Sequence, residues 1–181
     1  GIVTRIFSFT FMPLMAIALA TQSIVGNNVG AKLYQRSNAA LRLALTVSVL
    51  YCAAVEVILL VGYGWIGRGF VTDPDVIIMA GKILRPMVSL YLFAGPILVL
   101  ALYFQAIGRP GHTAALTLIK PFVLSPVLIA ALGVFYGAKA IWFAFPIADG
   151  IVIAIALWIV TVGQRRRHNA TGFGMSDREE V

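Results

Sequence analysis

Five long apolar runs constrain this chain more than any other feature of its sequence. A transmembrane helix needs about 20 mostly apolar residues, because each residue rises about 1.5 Å and the hydrocarbon core is about 30 Å thick. The runs lie at roughly 6–25, 39–63, 76–107, 113–136 and 140–162. They predict an all-α fold: a polytopic integral membrane helix bundle with five transmembrane helices.

The overall composition supports a membrane protein and excludes a soluble domain. Of the 181 residues, 60% are hydrophobic and only 12% are charged, whereas soluble domains carry about 25% charged residues. The net charge of +7 would suggest nucleic acid as the partner of a soluble protein. Here the basic residues cluster in the loops between apolar runs, so we expect membrane lipid and no nucleic acid as a partner.

The basic residues also predict how the chain is oriented. If the loop at 30–39 is cytoplasmic, eight basic residues lie inside, five lie outside and Lys120 lies within the membrane. The inside set is Lys32, Arg36, Arg42, Arg109, Arg165, Arg166, Arg167 and Arg178, and the outside set is Arg5, Arg68, Lys82, Arg85 and Lys139. This bias predicts a multi-pass protein of the cytoplasmic membrane with its C-terminus inside. Residues 164–181 are predicted to form a disordered basic cytoplasmic tail.

Several prolines and a glycine mark places where the predicted helices should bend. Proline lacks a backbone N–H and crowds the preceding turn, so inside a membrane helix it favours a kink. The candidates are Pro13 in the first run, Gly95 and Pro96 in the third, Pro126 in the fourth and Pro146 in the fifth. Such helices occur in transporters that change shape, but each kink could equally be static.

Apart from basic residues near the ends of the apolar runs, three charged residues lie within them: Glu56, Lys120 and Asp149. Charges in the membrane are costly and usually functional, and they tend to be paired. Lys120 and Asp149 lie well inside consecutive antiparallel helices, and their offset in depth is within reach of a lysine stem, so we predict that they face each other. Two alternatives stay open, namely separate contacts to backbone carbonyls, or a protonated and hydrogen-bonded Asp149. Cys52, the only cysteine, forms no intrachain disulfide and is predicted to be a small core residue.

The end of the first run carries small and polar residues. Gly26 and Gly30 lie four positions apart, which lets membrane helices approach closely. Asn27 and Asn28 lie between them, and an ordinary turn between two helices is the alternative interpretation. His112 and His168 both fall in predicted loops, without the spacing of a metal site, and are predicted to be solvated.

These motifs resemble those of the multidrug and toxin extrusion (MATE) transporters. The matching positions near the end of the first run are Gln22, Ile24, Gly26, Asn28, Gly30 and Ala31, whereas Ser23, Asn27 and Val29 depart from the family pattern. Further matches follow in order at 104–110, at Lys120 with Pro126, and at 146–149. The resemblance covers roughly residues 6–163.

The resemblance implies that residues 1–163 form a partial C-terminal transporter lobe without its first helix. The chain also begins without methionine, so we expect that its start, and with it an N-terminal partner lobe, is missing. The implied function is a cation-coupled (H⁺ or Na⁺) antiporter that exports small amphipathic drugs or toxins by alternating access. The coupling ion would be its only cofactor. Candidate cavity residues are Gln22, Asn28, Lys120 and Asp149.

The resemblance also bears on the coupling ion. One branch of the family binds its cation at a carboxylate in the middle of this lobe's fourth helix. Gly95 and Pro96 stand there in this chain, with no acid nearby. We therefore expect coupling to rely on the first lobe.

Three other functions compete with the antiporter. A lipid-linked sugar flippase of the same superfamily usually has more cations in its cavity, whereas only Lys120 is central here. An integral membrane enzyme would need clustered acids or a Ser-His-Asp set, but Glu56 and Asp149 stand alone on different helices. A non-transporting membrane subunit is the third alternative.

Overall fold

The computed structural model describes residues 2–70, 74–137 and 140–166, and helices make up nearly all of these residues. The α-helices are α1 (Ile2–Gly30), α2 (Tyr34–Phe70), α3 (Pro74–Val88), α4 (Ala94–Ala106), α5 (Pro110–Ile119), α6 (Ser125–Tyr136) and α7 (Ala144–Arg166). Two short 3₁₀ helices lie at Tyr91–Phe93 and Ala140–Phe143, and a π-helical segment lies at Lys120–Leu124.

These elements form the predicted membrane bundle. Four helical stretches are long and apolar enough to span a bilayer, and a bent pair makes a fifth if it counts as one span. The four are Thr4–Gly30, Tyr34–Gly62, Pro110–Tyr136 and Ala140–Val162, and the bent pair is Gly81–Val88 with Tyr91–Ala106. The all-α polytopic fold is confirmed, although α1 and α2 extend several residues beyond the predicted ends at both sides.

The third span differs from its prediction as one helix over 76–107. It bends by 48° between α3 and the segment that includes α4. The α-helix is interrupted at residues 89–93, before the predicted site at Gly95 and Pro96. Pro96 stands in the first turn of α4, where a helix does not use the N–H that proline lacks, so it starts this helix instead of kinking it.

Helix α4 is the centre of the bundle. It is apolar all round, as expected of a helix with no solvent face, and the six consecutive residues from Val99 to Phe104 are all buried. It contacts α1, α2, α5 and α7. The core around it includes Ala18 and Val25 of α1, Leu41 and Ala44 of α2, Leu116 of α5, and Val152, Ala156 and Ile159 of α7.

Glycine allows a close approach at one predicted place and not at another. A Cβ added to Gly95 would lie 2.8 Å from Cys52 Sγ and 2.9 Å from Ser48 Cβ, so α4 packs directly against α2. The lack of a side chain at Gly95 permits this packing, and the predicted burial of Cys52 is confirmed. Around Gly26 and Gly30, nothing in the described part of the chain lies within 4 Å of an added Cβ. The predicted close approach at that pair is wrong within this chain.

Prolines also lie within the last two spans and within the first. In the fourth span, Pro121 lies within the π-helical segment and Pro126 follows at the start of α6. Because Pro121 offers no N–H, the α pattern is interrupted there, and the Ser125 N–H bonds Lys120 O five residues back. Pro146 lies in the first turn of α7, after a 3₁₀ helix. Pro13 lies inside an α1 that continues on both sides of it.

The end of the last helix differs from the prediction. Helix α7 continues to Arg166, so the first three residues of the predicted tail at 164–181 are helical. The rest of that tail, from 167 onward, lies outside the described residues.

Candidate functional site

An ion pair inside the bundle joins the fourth and fifth spans. Lys120 Nζ donates a hydrogen bond to Asp149 Oδ1 across 29 positions of sequence. The Asp149 side chain is 14% exposed and that of Lys120 is 35% exposed. The predicted direct contact is therefore confirmed. A lone charge at this depth would be strongly unfavourable, so each side chain stabilises the other in its ionised form.

Both partners lie where their helices depart from regular geometry. Lys120 opens the π-helical segment, and Pro121 follows it. Asp149 lies in the second turn of α7, just after Pro146 and the 3₁₀ helix. π-Helical turns inside α-helices are frequently found at functional sites. The sequence indicated prolines here but not the π-helical turn.

The two other candidate cavity residues lie on α1. Gln22 and Asn28 are both half-buried, and Asn28 Nδ2 donates to Ile24 O at 2.7 Å within its own helix. Neither takes part in the ion pair. Helix α1 packs on α2, α3 and α4, whereas α7 packs on α3, α4, α5 and α6. The structure thus joins two of the four candidates and leaves the other two elsewhere.

A second polar cluster was missed by the sequence analysis. Glu56 Oε2 accepts the Leu92 N–H at 2.7 Å, in the broken part of the third span. Nearby, the Tyr51 hydroxyl donates to Thr10 O at 2.9 Å and the Tyr91 hydroxyl to Thr10 Oγ1 at 3.2 Å. The one available signal was Glu56 itself, since an acid in an apolar run needs a partner.

The turn after α4 is also more structured than predicted. His112 was expected to be solvated, but it is half-buried and stacks on Phe104 with ring centroids 5.0 Å apart. Thr113 Oγ1 donates to Ala101 O at 2.9 Å and so ties α5 to α4. His168 lies outside the described residues.

The described residues offer no obvious metal site. Within 2–70, 74–137 and 140–166, no three His, Cys, Asp or Glu side chains come together as metal ligands would. The candidate site consists of one ammonium group and one carboxylate in direct contact.

A membrane bundle with interrupted helices and a buried ion pair has the features of a secondary transporter lobe. The MatE family model matches residues 1–131. The chain belongs to this family, that of the multidrug and toxin extrusion transporters. Because its members are transporters and not enzymes, the membrane-enzyme alternative no longer applies.

Two relatives illustrate the similarity. The chain is 22% identical over 160 residues to the multidrug export protein MepA of Staphylococcus haemolyticus (strain JCSC1435), which covers 88% of this chain and 35% of MepA. It also resembles the solved structure of the MATE multidrug transporter DinF-BH. There the TM-score is 0.83 and the identity 27%, over 91% of this chain and 37% of that one. The chain thus spans little more than a third of each relative.

Proposed function

We propose that this chain forms the C-terminal lobe of a two-lobe antiporter. Driven by H⁺ or Na⁺, it exports small amphipathic drugs or toxins across the cytoplasmic membrane by alternating access. Family membership supports this proposal, and so does the share of each relative that the chain spans, which suits one lobe lacking a helix. The required partner is an N-terminal lobe, and membrane lipid surrounds both.

The observation that carries the proposal is the Lys120–Asp149 ion pair. Charged side chains within a membrane face the protein interior or a water-filled cavity, because lipid cannot solvate them. Lys120 keeps 35% of its side chain exposed in this lobe, so that side requires a polar surface to face. The cavity between two lobes supplies one. A cationic substrate or a proton that reaches Asp149 there competes directly with Lys120.

The same pair argues against the sugar flippase. A flippase for a phosphate-linked lipid needs unpaired cations in its cavity, but the charge of Lys120 is matched by Asp149. Lys120 is also the only Lys or Arg between Pro110 and Tyr136. A cavity wall with no net charge suits amphipathic cations better than it suits polyanionic head groups.

The orientation belongs to the same proposal. Lys32 lies in the turn between α1 and α2, Arg36 lies in the first turn of α2, and Arg165 and Arg166 end α7. By the positive-inside rule, these basic residues favour the cytoplasmic side for both ends. The C-terminus, which follows the triple arginine, then lies in the cytoplasm.

Efflux of a cationic dye tests the proposal. The chain is expressed together with its N-terminal lobe, and accumulation of a rhodamine dye is followed at matched membrane abundance. The two-lobe parent should lower dye accumulation, D149N should abolish that effect, and the chain alone should show none. Lys82→Met, which removes an exposed cation of α3, is the matched control and should behave like the parent.

Two outcomes would refute parts of this proposal. If the two-lobe parent changes neither the accumulation of the dye nor the tolerance of cells to it, export of such compounds is excluded. A non-transporting membrane subunit then remains as the alternative. Normal efflux by D149N at normal abundance would remove the ion pair from the transport path.

A further inference from the structure

The break in the third span exposes backbone groups that need partners. Between α3 and α4 the chain passes through a turn and the 3₁₀ helix Tyr91–Phe93, which has no side-chain cap of its own. An unpaired N–H inside a membrane is costly. The Leu92 N–H is instead satisfied at 2.7 Å by Glu56, a residue of α2 that lies 36 positions earlier.

The same short segment also holds α1. Tyr91, next to Leu92, is buried, and its hydroxyl donates to Thr10 Oγ1 at 3.2 Å. Its ring lies against Phe7 with a centroid distance of 5.9 Å. The break in the third span is thus connected to one particular turn of α1.

That turn of α1 is weakened by Pro13. Proline has no N–H for the carbonyl four residues back, and its ring crowds the preceding turn. Thr10 lies in this turn and makes three hydrogen bonds. Its hydroxyl donates to Phe7 O at 3.1 Å and accepts from Tyr91, and its carbonyl accepts from Tyr51 at 2.9 Å.

Helix α2 is the frame to which both weak points are attached. Tyr51 holds Thr10 and Glu56 holds Leu92, and the two lie five residues apart on α2. Cys52 and Ser48 of the same helix pack directly on Gly95, just after the break. The Pro13 turn and the break therefore share one set of supports, so neither changes geometry without disturbing the other.

We propose that the Pro13 turn of α1 and the break at residues 89–93 form one coupled hinge. In this hinge Glu56 positions the backbone of the break through the Leu92 N–H, and Tyr91 links the break to α1. The inference rests on contacts within this chain and is independent of the transported compound and of the coupling ion. Loss of the contact between Glu56 and Leu92 should therefore also loosen α1. Tyr91 transmits the effect through its contact with Thr10, about 80 positions away in sequence.

Hydrogen exchange measures both ends of the hinge at once. The protein is purified and placed in lipid nanodiscs. Mass spectrometry then follows deuterium uptake by the backbone amides in peptides covering 5–15 and 88–95. Glu56→Leu should speed exchange in both peptides about fivefold, the change expected when one ordinary hydrogen bond is lost. Glu56→Gln should keep parental rates, because its amide oxygen accepts the same N–H.

Two further variants keep the test decisive. Tyr91→Phe removes one hydroxyl without changing the packing and should speed exchange mainly in 5–15, which decides the matter even if Glu56→Leu fails to fold. Thr46→Val removes an exposed hydroxyl that bonds Arg42 O on the same α2 and should change neither peptide. The coupled hinge is overturned if Glu56→Leu speeds only 88–95, or if Tyr91→Phe leaves 5–15 unchanged. A Glu56→Gln variant that behaves like Glu56→Leu would remove the positioning role of the carboxylate.

Discussion

Replacing Lys120 and replacing Asp149 should lower the free energy of unfolding by unequal amounts. Lys120→Met leaves Asp149 alone with only 14% of its side chain exposed. An uncompensated buried charge costs about 3–5 kcal/mol, and protonation of the carboxylate lowers that cost to about 3 kcal/mol. Asp149→Asn leaves Lys120, which is 35% exposed and has a flexible stem. Water and headgroups reach it, so we expect about 1–2 kcal/mol.

The double variant completes the argument. Lys120→Met combined with Asp149→Asn leaves no charge unpaired, and removing both members of a buried pair is often nearly neutral. We expect it to cost no more than about 1 kcal/mol, which gives a coupling free energy of about 3–5 kcal/mol between the two sites. Lys82→Met is the control for loss of an exposed cation and should stay within about 0.5 kcal/mol.

The measurement is the apparent free energy of unfolding in mixed micelles titrated with SDS, followed by far-UV circular dichroism. All four variants and the parent are compared at one pH and ionic strength. The reasoning is refuted if Asp149→Asn is more damaging than Lys120→Met. It is also refuted if the cost of the double variant equals the sum of the two single costs, because then the side chains do not interact.

Three further predictions follow from the packing and orientation of the helices. Gly95→Ala places a Cβ within 2.9 Å of α2 and should lower the free energy of unfolding by about 1–3 kcal/mol, whereas Gly26→Ala, in open space, should not lower it. Pro121→Ala restores an N–H and favours regular α-helix over the π-helical segment; Lys120 then turns away from Asp149, and the stability cost of Lys120→Met should fall. Single cysteines at the exposed positions Gln35 and Tyr136, in a Cys52→Ala background, should react with an impermeant thiol reagent in intact cells at 136 only; labelling at 35 alone would reverse the orientation.

The span pattern could be predicted from the sequence because a bilayer imposes a single length scale on every helix. About 20 apolar residues mark a span wherever they occur, so the five runs were visible without any knowledge of packing. The Lys120–Asp149 contact was predictable for a similar reason. Two opposite charges within the membrane on consecutive helices, close enough in depth for a lysine stem to bridge, have few other partners available.

The third span was harder to predict because proline acts differently by position. Gly95 and Pro96 suggested a bend, but a proline in the first turn starts a helix, and the break fell at 89–93 just before them. The residues at the break give little warning. What stabilises the break is the Glu56 carboxylate, 36 positions away from Leu92, and no local pattern relates the two. For the same reason the close approach predicted at Gly26 and Gly30 is wrong, since close packing depends on which helix faces them.

The Glu56–Leu92 contact and the Lys120–Asp149 contact differ in a way that bears on their proposed roles. The Glu56 contact runs from a side chain to the backbone of an interrupted helix, and such a contact fixes a main-chain path. The Lys120–Asp149 contact joins two side chains, one of them still a third exposed, and such a contact can be exchanged for another ion without unfolding a helix. A transporter lobe needs both properties: a bend that keeps its shape or moves as a unit, and a charge that can change partner. The largely buried helix α4 contacts both α2, which carries Glu56, and α7, which carries Asp149.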